Sequence, residues 1–147
     1  MLYKRYFRKS YIVSVFRVDM EVIVDSNFIV SCFKKNIDFT GQLEEQGFKV
    51  LIPREVVQEL KDLRRGDKSS HDDRVAIDLA LAFFARTKLK HISFGAGKVD
   101  DFLIKKGKQG AYIASLDREI KRRVPNRVVI FDAQKRVGPE SGGFEKL

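Results

Sequence analysis

Short apolar runs alternate along this chain with stretches in which apolar residues recur every three or four positions, and that alternation sets the expected order of elements. Glu21 to Val24 is a short β-rich run, and the following Asp25-Ser26-Asn27 offers helix N-cap chemistry ahead of Phe28, Ile29, Val30 and Phe33. After Asn36 a second helical segment, near Phe39 to Gln46, is predicted to stop at Gly47 and give way to the apolar strand Phe48 to Ile52. Pro53 suits the first turn of a helix that carries Val56, Val57, Leu60 and Leu63 on one face and ends in the polar run Arg64 to Ser70. Ser70 caps a longer amphipathic helix through Val75, Ile77, Leu79, Leu81 and Phe84, with Asp72 and Asp73 in its first turn.

The later elements are shorter. A strand near Lys90 to Ser93 is followed by a glycine loop, Phe94 to Gly97, and then by a helix from Val99 to Lys106 that is predicted to end at Gly107. Ala111 to Ala114 reads as a buried strand, Asp117 to Arg123 as a short basic helix, and Arg127 to Phe131 as the last strand before a Gly/Pro-rich tail that frays. Parallel strands need crossover helices, so short β-runs separated by helices predict an α/β fold in three layers: a central parallel sheet of about five strands with helices on both faces. Sheets of this kind bind ligands beyond the C-terminal ends of their strands. Candidate chemistry is therefore sought there.

Composition adds bounds. With 147 residues, of which 44% are apolar, the chain can fill one core, which predicts a single domain. The 29 Lys and Arg outnumber the 20 Asp and Glu, and the formal charge of +9 favours an anionic partner such as nucleic acid. Lys4, Arg5, Arg8, Lys9 and Arg17 face only Asp19 within residues 1–20, which read as a basic N-terminal extension, with Met20 directly before the first clear strand. The expected division is that extension, a domain over residues 21–137, and a flexible tail over residues 138–147. No stretch approaches the roughly 18 uninterrupted apolar residues of a membrane span. Cys32 is the only cysteine, which excludes an intrachain disulfide and fits a cytoplasmic location. His71 and His91 are too separated to suggest a catalytic pair, and no phosphate-binding loop of the Gly-Lys-Ser/Thr type occurs.

Acidic residues, by contrast, fall where the strand-end rule looks. Asp25 ends the first strand, Asp117 follows Ile113-Ala114-Ser115-Leu116, Asp100 and Asp101 open a helix, and Glu59 lies on the helix that starts at Pro53. Gathered carboxylates repel one another and resist desolvation unless a cation neutralises them, and Mg²⁺ or Mn²⁺ suits hard oxygen donors. Each acid also has a plainer reading: Asp25 and Asp117 as helix caps, Asp100 or Asp101 as a first-turn acid, Glu59 as a solvated helix residue. Basic clusters at Lys61, Arg64, Arg65 and Lys68, at Lys105, Lys106 and Lys108, and at Arg118, Lys121, Arg122 and Arg123 flank the acids in sequence and would attract a phosphate backbone.

Four segments in order, Val22 to Phe28, Pro53 to Leu60 with Glu59, Val99-Asp100-Asp101, and Ala114 to Ile120, resemble the PIN-domain nucleases, over roughly residues 21 to 131. The resemblance implies a metal-dependent endoribonuclease of the kind found in VapC-type toxins and in ribosomal RNA processing. It implies Asp25, Glu59, an aspartate of the Asp100/Asp101 pair and Asp117 as the catalytic, metal-holding set, with Asp101 preferred for its Phe102, Leu103 and Ile104 neighbours. Ser26, Asn27 and Ser115 would hydrogen-bond the carboxylates or the scissile phosphate, and Arg118 and Arg122 would contact substrate. RNA is the implied partner, with a homodimer and an antitoxin or a ribosome-assembly partner as further options. Ser115 stands where the family commonly has threonine, which keeps the hydroxyl. The run Arg118 to Arg123 resembles that of processing members, and a catalytically inactive RNA-binding module is the alternative.

Overall fold

Period-two alternation in the strands sends neighbouring side chains to opposite faces, and the computed structural model, which describes residues 20–140, shows where each set goes. Apart from Met20, the basic extension lies outside the described residues, as does the tail beyond Glu140. The strands are β1 (Met20–Val24), β2 (Phe48–Pro53), β3 (Lys90–Ile92), β4 (Tyr112–Ala114), β5 (Arg127–Phe131) and β6 (Arg136–Pro139). They form one sheet in the order β3-β2-β1-β4-β5-β6. β1 to β5 pair in parallel, whereas β6 runs antiparallel to β5.

The helices are α1 (Ser26–Lys34), α2 (Phe39–Glu45), α3 (Arg54–Arg65), α4 (His71–Arg86), α5 (Val99–Lys108) and α6 (Arg118–Arg123). Val22, Val24, Val50, Ile52 and Ala114 point to one face of the sheet, where they pack with Phe28 and Ile29 of α1, Leu43 of α2, Leu60 of α3 and Ile77 of α4. Ile23, Leu51 and Ile113 point to the other face, against Leu103 and Ile104 of α5 and Ile120 of α6. The predicted three-layer α/β architecture is therefore the observed one. Expected stops and caps also hold: Gly47 has φ +93° just beyond α2, and the Ser70 hydroxyl accepts from the Asp73 amide at 3.1 Å.

Three local expectations are corrected. Pro53 closes β2 and precedes α3 rather than lying in its first turn. Gly107 does not end its helix but sits inside α5, and the chain turns instead at Gly110, whose φ is +111°. A Cβ at Gly107 would lie 2.5 Å from Val124 Cγ1 and 3.1 Å from Ile113 Cγ1, so glycine lets α5 approach β4 closely. Finally, Phe131 does not end the last strand. β6 adds an antiparallel edge whose Val137 amide donates to Gln42 Oε1 at 2.8 Å and whose Val137 carbonyl accepts from Gln46 Nε2 at 2.9 Å. Long-range side-chain bonds of this kind leave no local pattern.

Replacing Gly107 by alanine is expected to lower stability by about 1–3 kcal/mol through overpacking. This would occur despite the helix-propensity gain of about 1 kcal/mol that alanine brings inside a helix. Urea unfolding of the full chain reads the difference, and an unchanged or raised midpoint would contradict the packing argument.

Candidate functional site

From β1 the chain moves to β2 and β3 on one side of the sheet, then crosses back to β4 on the other side of β1. The C-terminal ends of β1 and β4 therefore flank a topological switch point, the place where connections diverge and leave a crevice. Asp25 directly follows β1, and its amide donates to the Ala114 carbonyl at 2.9 Å, which extends the β1–β4 ladder. Ser115 directly follows β4. Asp25 and Ser115 are among the buried polar residues, at 5% and 2% exposure.

Every oxygen of the Asp25 carboxylate is held. Oδ1 accepts from the Ser26 amide at 2.9 Å and Oδ2 from the Ser115 hydroxyl at 2.9 Å. The same Ser115 oxygen accepts from the Asp117 amide at 3.1 Å, so one hydroxyl links two of the acids. Ser26 is buried, and its hydroxyl donates to Glu59 Oε1 at 2.5 Å, which ties α1 to α3. Asn27 Oδ1 accepts from the Leu116 amide at 3.1 Å and fixes the β4–α6 connection. Asp117 caps α6, its Oδ1 accepting from the Glu119 and Ile120 amides at 2.8 and 3.2 Å.

Electrostatics single out Asp25. Burial pushes its carboxyl from an ordinary 3.8 up to about 6; the Ser115 and Ser26 hydrogen bonds act against that rise, and the charges of Glu59 and Asp100 add to it. Asp25, Glu59, Asp100 and Asp117 take part in no ion pair among the described residues. The site thus gathers like charges around a buried acid without a protein counter-ion. Among the described residues, no three such side chains already stand close enough to form a closed metal cage. Even so, the donors are oxygen atoms in the chemistry that a hard divalent cation prefers, and such an ion would remove the strain between them.

Not every expected residue joins this centre. Asp100 influences Asp25, but the adjacent Asp101 lines a separate groove with Ile104, Lys105, Lys108, Gln109 and Arg123. Arg118 is exposed at the start of α6, whereas Arg122 is engaged by Glu119 one turn away. Sequence reasoning also missed Glu55. Its Oε2 accepts from the Ser93 hydroxyl at 2.6 Å, which anchors the loop leading into α5 to the start of α3, and that bond holds the Glu55 carboxyl below its usual range. No local signal pairs residues that far apart. His71 and His91 are exposed, and Cys32 is buried with its thiol pushed up to about 12, which keeps that thiol protonated at neutral pH.

A family model described as a PIN like domain matches residues 22–134. Ribonuclease VapC4 of Methanocaldococcus jannaschii is 25% identical over 109 residues, covering 71% of this chain and 82% of that protein. The family match spans the segment that carries the acids described above. No helix among the described residues is long and apolar enough to cross a membrane.

Because its pKa is raised on folding, native Asp25 keeps a proton at pH values where the unfolded chain has released it. Its contribution to stability is full below about pH 4 and declines as pH rises through about 6, by on the order of 3 kcal/mol. In EDTA, the wild-type urea midpoint is expected to rise as pH falls from 7.5 to 5, and Asp25→Asn to lack that component. Equal pH dependence in the two proteins would contradict the assignment.

Proposed function

This chain belongs to the PIN-like domain family, and from that premise we propose that it is a metal-dependent endoribonuclease acting in RNA processing. The observation that carries this reading is the buried Asp25 at the switch point, its carboxyl raised by burial with the charges of Glu59 and Asp100 adding to the rise, and in no ion pair among the described residues. The ribonuclease named as a relative supports RNA as the substrate.

In this reading Asp25, Glu59, Asp100 and Asp117 hold Mg²⁺ or Mn²⁺. The bound ion supplies Lewis acidity towards a water and the scissile phosphate and neutralises the acids. Asp100 rather than Asp101 is assigned to the ligand set, since its charge is the one that reaches Asp25. The chain's own contribution is positional. Ser115 orients Asp25 and the Asp117 amide together, Ser26 fixes one oxygen of Glu59, and Asn27 sets the path of the backbone between β4 and α6. Arg118, beside Asp117 and in no ion pair among the described residues, is placed to receive a phosphate oxygen. Arg122 acts less directly because Glu119 occupies it. The net reaction is hydrolysis: a water oxygen bonds to phosphorus, the bond to the ribose oxygen breaks, and that oxygen leaves with a proton.

The open arrangement of the acids favours one rival, a module that binds RNA and does not cut it. A toxin role, with an antitoxin partner, is the other biological setting for the same chemistry.

Cleavage of labelled structured RNA in Mn²⁺, Mg²⁺ or EDTA separates these readings. Asp25→Asn and Asp100→Asn are each expected to lose at least about 100-fold in cleavage rate, and Asp101→Asn less than about tenfold. An active Asp25→Asn protein sinks the metal-site reading, and binding without cutting in every metal establishes the inactive module.

A further inference from the structure

On helix α5, Asp100, whose charge acts on Asp25, precedes Asp101, and Asp101, Lys105 and Lys108, spaced i, i+4 and i+7, lie along one face over about 10 Å of helix. Arg123, from the end of α6, closes that face into a groove of about 390 Å³. Three cationic side chains therefore meet one carboxylate there, with the buried Ile104 on the floor and Gln109 at the far end.

Some basic residues on the surface are matched by acids, such as Lys34 by Asp73, Arg64 by Asp78, Arg122 by Glu119 and Arg127 by Glu140, and among the unmatched ones three share one groove. Lys105, Lys108 and Arg123 take part in no ion pair among the described residues. Three unmatched cations in one concave strip repel one another, and an anion with regularly spaced charges relieves that repulsion. The strip also starts one residue from Asp100.

We propose that the α5–α6 groove is a phosphate-backbone track that holds the single-stranded RNA flank on one side of the cleaved bond. Lys105, Lys108 and Arg123 are its positioning residues. This inference rests on the reading of the chain as one that acts on RNA, and it adds where the strand runs once it has crossed the acids. Lys and Arg side chains in such a groove contact the phosphate backbone rather than base edges, so the track carries no base preference. Asp101 stands at its near end as the one repulsive charge, which favours a phosphate seated further along, between Lys105, Lys108 and Arg123.

The test separates binding from cutting by using the full chain with Asp25→Asn. Binding of a labelled single-stranded RNA is measured across a salt series, with and without Lys105→Gln, Lys108→Gln and Arg123→Gln together. A control carries Lys49→Gln, Lys88→Gln and Lys90→Gln, the same charge change around the start of β2 and β3. The groove variant is expected to bind about tenfold or more weakly and to lower the salt slope by about 2, while the control stays near the parent. In the cutting-competent background the groove variant should raise KM and leave kcat within about twofold. Shortening the RNA from one of its two ends, and not from the other, should erase the difference from the parent.

Equal effects in the groove and control variants, or no effect in either, overturn the track and leave the nuclease reading intact. Groove-dependent binding by a wild-type protein that never cuts keeps the track and removes the nuclease reading. No RNA binding at all removes both.

Discussion

The Ser115 hydroxyl occupies the point on which the rest of the site turns. It gives its proton to Asp25 and receives one from the Asp117 amide, so a single oxygen sets the spacing between the end of β1 and the start of α6. That arrangement needs β1 and β4 to be neighbours in parallel register, with Val24 beside Ala114, because only then do the residues that follow them meet. The parallel sheet, its crossover helices and the two cores serve this meeting. Shift the register by one residue and Ser115 would face the other side of the sheet.

Burial of the Asp25 carboxylate works against the fold. Hydrogen bonds from Ser26 and Ser115 relieve only part of the desolvation, while Glu59 and Asp100 add repulsion. Positive charges lie in the α5–α6 groove and at Arg118, outside any ion pair with these acids among the described residues. A lysine placed against Asp25 would stabilise the domain and cancel its charge. Helix α5 instead carries acids at its start and Lys105 and Lys108 along its groove face.

Much of this was legible in the sequence because it is local. The apolar runs Val22 to Val24 and Val50 to Ile52 read as strands of a sheet covered by helices on both faces, and both faces are buried. Gly47 and Ser70 announced a helix end and a helix start through their own backbone and side-chain chemistry. What failed depended on distant partners. Gly107 looks like a helix stop until Val124 and Ile113 are seen against it, and β6 exists because Gln42 and Gln46 reach its backbone. Asp100 and Asp101 are adjacent in sequence, and a turn of about 100° per residue separates their directions, so the motif alone leaves open which of them serves the site. The Glu55–Ser93 bond is of the same kind.

The clasp of Gln42 and Gln46 on Val137 has a further consequence for how copies of this domain meet. An exposed strand edge is a template on which another chain can continue the sheet. At β6 the amide and carbonyl of Val137 are already engaged by side chains from α2, and at the opposite margin β3 offers only the three residues Lys90–Ile92. Among the described residues, sheet-to-sheet growth is therefore blunted at both margins. Contacts between molecules are left to helical faces, where a polar surface can choose its neighbour instead of accepting any passing strand.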